Sequence, residues 1–145
     1  MWVIFEGLDK AGKTTLEWEF LKATNFKHLV VDRGPVGYKV FDKLLGRDTK
    51  LGDQEFIHQA RKIMKNKDFM VVYVHCDEAV AEKRLKRYSE TCPYDYNKAQ
   101  KMLKDNIRRY YDERKVLDLD TSEKSVEECV ELIVEKLKEV QKGEL

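Results

Sequence analysis

The sequence predicts a three-layer α/β domain built on a parallel sheet of four or five strands. Three observations predict it. Short apolar runs alternate with amphipathic segments, the first run feeds directly into a glycine-containing turn, and the last segment carries a helical apolar stripe behind a capping box. The 145 residues, 42% apolar and 38% charged, fit a single domain spanning 1–145.

Trp2 to Phe5 reads as a buried strand, and Leu16, Phe20 and Leu21 then recur at helical spacing. His28 to Asp32 is the second strand, stopped by Gly34 and Pro35. Asp53 caps a helix with Phe56, Ile57, Ala60, Ile63 and Met64 on one face, and Phe69 to Val74 is the third strand. Asp77 precedes a helix carrying Val80, Ala81 and Leu85, and Asn97 with Gln100 resembles a capping pair for a helix through Met102, Leu103, Ile107 and Tyr110. Val116 to Leu119 is a short fourth strand. The final helix has Ser125 and Glu128 as its capping box and Val126, Cys129, Val130, Ile133, Leu137 and Val140 as its stripe.

Composition narrows the function classes. With 28 basic and 27 acidic residues the net charge is +1, so a chain that coats nucleic acid or seeks membranes by bulk charge is excluded. Charge is nevertheless uneven: residues 82–115 hold eleven Lys/Arg against six Asp/Glu, while 118–145 hold four against nine. No apolar run approaches the roughly 20 residues that span a bilayer, and the N-terminus lacks the pattern of a secretion signal. Cys76, Cys92 and Cys129 are odd in number and far apart, which predicts a reducing, cytoplasmic setting. They form no zinc-ligand spacing with His28, His58 or His75.

Gly7-Leu-Asp-Lys-Ala-Gly12-Lys13-Thr14-Thr15 fits G-x-x-x-x-G-K-[ST] between a strand and a helix, and predicts a P-loop NTPase fold. Gly7 and Gly12 let the backbone curl so that successive N–H groups, including those of Lys10 and Ala11, converge on phosphate oxygens. Lys13 is expected on the β- and γ-phosphates. Thr14 offers a hydroxyl to Mg²⁺, and Thr15 continues the anion-binding first turn. ATP and Mg²⁺ are the expected cofactors. A switch GTPase is disfavoured: an Asp-x-x-Gly starting at Asp32 has Pro35 at its Gly position, and Asn66-Lys67-Asp68 is followed by Phe69 rather than Asp.

The segment Phe5 to Thr15 resembles the phosphate loop of thymidylate kinases and their deoxynucleoside-kinase relatives. Val31-Asp32-Arg33 is similar to the Asp-Arg that ends a strand in that family. Val71 to Asp77 with Arg84-Leu-Lys-Arg87 resembles the strand and helix leading into its lid, and Asn106 to Tyr111 resembles the returning helix. The resemblance implies a phosphotransferase. It implies that Asp9 faces the acceptor sugar and the metal shell, that Lys10 is aimed at the γ-phosphate, that Asp32 is a metal-side or base-like carboxylate, and that Arg33 holds the acceptor phosphate. Arg84 and Arg87, at i and i+3, share a face that either reaches the triphosphate or adenine or is simply solvated. Tyr38 and Phe41 either stack on an acceptor base or pack in the core.

Where the family has an aromatic, a Ser and a Tyr after its Asp-Arg, this chain has Gly34, Gly37 and Phe41. Only sixteen residues separate Thr15 from Asp32, so the acceptor side is trimmed and the family's outer strand is expected to be missing. A compact, open kinase of this sort resembles small phage-type relatives. Two acceptors therefore stay open. One is a deoxynucleoside monophosphate or nucleoside. The other is DNA, phosphorylated on a hydroxyl or on a 5-hydroxymethyluracil base, with the basic residues of 82–115 tracking its backbone. A non-catalytic nucleotide-binding protein is the reading from another class. No membrane partner is expected, and the chain is read as a monomer or homodimer.

Overall fold

The computed structural model describes residues 1–8, 10–46, 53–65 and 68–143. Four parallel strands, β1 (Trp2–Gly7), β2 (Leu29–Asp32), β3 (Phe69–His75) and β4 (Val116–Asp120), lie in the order β2-β1-β3-β4. β1 and β3 sit in the middle because they are the most apolar. Val3 to Phe5 and Phe69 to Val74 are all buried, as strands covered on both faces must be. The family's outer strand is absent among the described residues, and β2 forms the edge.

The helices are α1 (Lys13–Ala23), α2 (Pro35–Leu44), α3 (Asp53–Lys65), α4 (Glu78–Arg87), α5 (Tyr96–Tyr110) and α6 (Val126–Lys142), with a 3-10 turn at Glu113–Lys115. Alternation along β1 sorts the layers. Phe5 meets Phe20 of α1 on one face, with ring centroids 6.2 Å apart, and α6 packs beside α1. Its neighbour Glu6 points to the opposite face, toward α2 and the end of α5. Tyr73, in register with Glu6, donates from its hydroxyl to Gln100 of α5 on that same face, where His75 and Asp118 also bond across β3 and β4.

The structure departs from the sequence reading at identifiable places. Gly34 and Pro35 do end β2, but they also start α2, with Gly34 as N-cap and Pro35 at the first helical position, where its missing N–H costs nothing. The cap of α5 is Asp95, which accepts from the Lys98 N–H, rather than Asn97 with Gln100. Those two side chains bond instead to Glu78 and Tyr73. Asp77 precedes α4 without a side-chain cap bond. The capping box of α6 is present as expected, and Cys129, Ile133, Leu137 and Val140 are buried, whereas Val126 in its first turn is 41% exposed. In α3, Ala60 is buried, and the side chains of Asp53, Phe56, Ile57, Ile63 and Met64 lie outside the described residues. No helix among the described residues is long and apolar enough to cross a membrane.

Candidate active site

All four strands run in parallel, so their C-terminal ends share one edge. That edge collects the loop after β1, Asp32-Arg33 after β2, Cys76-Asp77 after β3 and Thr121 after β4. Gly7 closes β1 against β3 so tightly that a Cβ there would lie 2.6 Å from the Val74 carbonyl oxygen. The following turn reverses through Lys10 at φ 63° and Gly12 at φ 96°, a left-handed conformation that glycine adopts without strain. Gly12 is the N-cap of α1 and has no side chain to offer, so the N–H groups of the first turn are left for a ligand. Thr14 and Thr15 are exposed there. Asp9 lies outside the described residues.

Lys13 begins α1, and its Nζ stands 2.7 Å from Oδ1 of Asp32, the last residue of β2. Asp32 is 61% exposed and presents its carboxylate at the mouth of the loop. Glu17, one helical turn after Lys13, packs behind this pair and is 8% exposed. Burial, together with the bond to Asp32, pushes the Glu17 carboxyl up to about 8. At neutral pH it therefore keeps its proton and donates to Asp32, while its Oε1 is buried without a partner. Burial also works against the charge of Asp32, but the bonds from Glu17 and Lys13 outweigh it and hold Asp32 below the usual carboxylate range. Glu17 was not legible as a site residue. Its only signal is a carboxylate in register with Lys13 on a helix whose other inward positions, Leu16 and Phe20, are apolar.

A second buried carboxyl lies on the opposite face of β1. Glu6 is fully buried, accepting the Gly34 N–H at 2.8 Å, the Gly37 N–H at 3.0 Å and the Tyr111 hydroxyl at 3.0 Å. Burial raises its pKa, and these three donors and the Lys13 charge pull against that rise. Glu6 thus occupies the N-terminus of α2, whose free N–H groups and dipole favour a negative group. Neither Gly34 nor Gly37 has room for a side chain. A Cβ on Gly34 would come within 2.7 Å of Ile4 and of the Tyr111 hydroxyl, and one on Gly37 would collide with Glu6. This clamp fixes the turn containing Arg33, which sits at φ 65° with its N–H on the Phe5 carbonyl at 2.9 Å. The Arg33 guanidinium lies over the Phe41 ring at 3.8 Å and near Tyr38 at 5.8 Å. Phe41 is core, set edge-on to Tyr94, whereas Tyr38 is 54% exposed.

The segment after α4 closes over the loop from the other side. Lys10 Nζ is 3.2 Å from Glu90 and 4.2 Å from the centre of the Tyr88 ring. Arg84 reaches the loop, donating to the Lys10 carbonyl at 2.8 Å, while Arg87 is exposed. The shared helical face expected for the two arginines therefore separates at the site. Thr121, missed in the sequence, is buried and donates to the Ala11 carbonyl at 2.7 Å.

For a metal, the donors near the loop are the Thr14 hydroxyl and the Asp32 carboxylate, oxygen ligands suited to Mg²⁺, which keeps most of its water and takes the remainder from phosphates. The described residues hold no three-ligand His, Cys, Asp or Glu cluster of the kind a protein-only metal site needs. The donor set fits a cation that arrives with a nucleotide.

Comparison with known proteins extends this geometry. The sequence model of a family described as chloramphenicol phosphotransferase-like protein matches residues 37–138, from within α2 into α6. No curated protein matches the chain. Among solved structures, the YorR protein of Bacillus subtilis, in complex with phosphorylated GDP, superimposes with a TM-score of 0.77 at 18% identity, covering 95% of this chain and 96% of that one. Deoxyadenosine kinase from M. mycoides, with bound dATP, gives 0.54 at 18% identity over 95% of this chain and all of its own. Thymidylate kinase from Candida albicans gives 0.51 at 13% identity, covering 96% and 92%. At these identities the likeness establishes the fold.

Proposed function

The chain belongs to the chloramphenicol phosphotransferase-like family, and from that membership and its site we propose that this P-loop phosphotransferase moves the γ-phosphate of ATP to a phosphate-bearing deoxynucleotide. The observation that carries the acceptor class is Arg33. It is held in a left-handed turn by the Glu6 clamp, one residue beyond the Asp32 that meets Lys13, with the exposed Tyr38 ring beside it. A cation fixed next to an open aromatic is suited to a nucleotide, whose phosphate takes the charge and whose base takes the ring.

In this reading the loop N–H groups and the first turn of α1 hold the α- and β-phosphates, and Lys13 exchanges Asp32 for the β- and γ-phosphate oxygens. Thr14 and Asp32 would hold Mg²⁺, which when bound would supply charge neutralisation for the transferred group. Lys10 exchanges Glu90 for the γ-phosphate. Asp32 would serve as that metal-side carboxylate or, in its place, as the base for the attacking hydroxyl. Alignment and charge neutralisation are most of what phosphoryl transfer asks of a protein.

A second acceptor is favoured by a separate observation. Among the described residues nothing pairs with the outer edge of β2, and α5 carries Lys98, Lys101, Arg108 and Arg109 on exposed positions, with Asp105 between them, a mainly basic surface suited to DNA. The test is transfer from γ-labelled ATP to a panel of deoxynucleoside monophosphates, deoxynucleosides, chloramphenicol, and oligonucleotides with and without 5-hydroxymethyluracil. Label on a monophosphate, lost in Arg33→Ala, is the expected result. Label on DNA alone, falling steeply with salt, replaces the acceptor with a polynucleotide. Label on chloramphenicol or a deoxynucleoside alone removes the role of Arg33 as a phosphate ligand.

A further inference from the structure

The phosphate loop is held from outside by two side chains. Its reversal through Lys10 and Gly12 presents the carbonyls of Lys10 and Ala11 to α4 and to the end of β4. Arg84 donates from Nη1 to the Lys10 carbonyl at 2.8 Å, and the Thr121 hydroxyl donates to the Ala11 carbonyl at 2.7 Å. The two are also joined to each other, Nη1 lying 3.3 Å from Thr121 Oγ1 and Nη2 3.4 Å from the Thr121 carbonyl oxygen. Thr121 is anchored to the sheet because its N–H donates to the His75 carbonyl at 2.8 Å. Its hydroxyl has one proton and two acceptors in reach, Ala11 and, at 3.2 Å, His75. The bond from Arg84 occupies a lone pair of Oγ1 and leaves that proton for the shorter contact. The same pair lines the space behind the loop at ordinary contact distance. A Cβ on Gly12 would meet Arg84 Nη1 at 3.6 Å and Thr121 Oγ1 at 3.8 Å.

We propose that Arg84 and Thr121 are positioning residues that set the affinity of the loop for a triphosphate without contacting it. The Lys10–Ala11 peptide closes the turn, its N–H donating to the Leu8 carbonyl at 3.3 Å, so Arg84 braces the shape of the turn from outside, while the bond from Thr121 to the Ala11 carbonyl polarises the next peptide in the direction that strengthens the Gly12 N–H. The chain Arg84 to Thr121 to Ala11 is cooperative, so each member needs the other. This assigns Arg84 to the rear of the loop rather than to the base of the nucleotide. It rests on the reading that the loop binds a nucleoside triphosphate.

The experiment compares calorimetric titrations of ATP and of inorganic tripolyphosphate, both with Mg²⁺, into the wild-type protein, Arg84→Gln, Thr121→Val, the double variant and Thr121→Ser, with a thermal melt of each. The expected result is that each single substitution weakens both ligands by the same factor, about tenfold, the loss of one charge-assisted bond. The double variant loses less than the product of the two, and Thr121→Ser returns to within about threefold of wild type. Thr121→Val and Thr121→Ser differ in the hydroxyl as well as one methyl, so this pair decides the matter where Arg84→Gln proves too unstable to titrate. A loss confined to ATP, with tripolyphosphate unchanged, would make Arg84 a ligand of base or ribose and overturn the proposal. So would unchanged affinity for both, or independent effects in the double variant. Absence of binding by the wild-type protein would overturn the triphosphate reading and this proposal together, and is distinguished by preceding any substitution.

Discussion

Glu6 places a carboxyl group in the centre of the protein, and every polar atom it meets there is a donor: two backbone N–H groups and a tyrosine hydroxyl. Glu6→Gln turns one of those oxygens into an amide that faces a donor. It is expected to cost about 2 kcal/mol or more, read as a lower urea midpoint. Glu17 makes a prediction about pH. Its carboxyl stays protonated to about 8 in the folded protein against 4.5 in the unfolded chain, so between those values the folded state holds one proton more. The contribution of Glu17 is complete below pH 4.5 and declines as pH rises toward 8. Glu17→Gln still donates but cannot ionise. Urea midpoints at pH 5, 6.5 and 8 are expected to fall less steeply for the variant than for wild type, and parallel slopes would refute the shared proton.

At the scale of elements, α2 turns a strand end into a site. Its N-terminus receives Glu6, the turn just before it carries Arg33, and its Gly37 has no space for a methyl group. Gly37→Ala is expected to cost at least about 2 kcal/mol, because the methyl meets a buried carboxylate rather than a mobile side-chain end. Ser125→Ala, by contrast, removes one arm of an exposed capping box and is expected to cost about 1 kcal/mol, a drop of about 2–4 °C in Tm. The contrast also explains what the sequence disclosed. A capping box, a phosphate loop and apolar strands are local patterns, and they were legible. α2 was passed over because Gly34 and Pro35 read as the stop of β2, although Pro at the first helical position with Val36, Val40 and Phe41 behind it was a usable signal. Glu6, Glu17 and Thr121 were not legible as site residues. The partners of Glu6 lie 28, 31 and 105 positions away, that of Glu17 lies 15 away and that of Thr121 lies 110 away, and only the tertiary fold brings them together.

The whole molecule is organised by the direction of its sheet. Four parallel strands deliver four loops to one edge, and the two central strands, β1 and β3, supply the rigid floor on which the phosphate loop and the segment after α4 face each other. Among the described residues β2 is the edge strand, and Arg33 and Tyr38 follow it at that flank. The central claim, that this edge binds a Mg²⁺-bound nucleoside triphosphate through Lys13, is tested most directly by titrating ATP with Mg²⁺ into wild-type protein and Lys13→Ala. Removing an ammonium that meets phosphate in a site only 10% exposed at its side chain predicts saturable binding by the wild type and at least about tenfold weaker binding by the variant. Equal affinity in the two proteins, or no binding by the wild type, would contradict it.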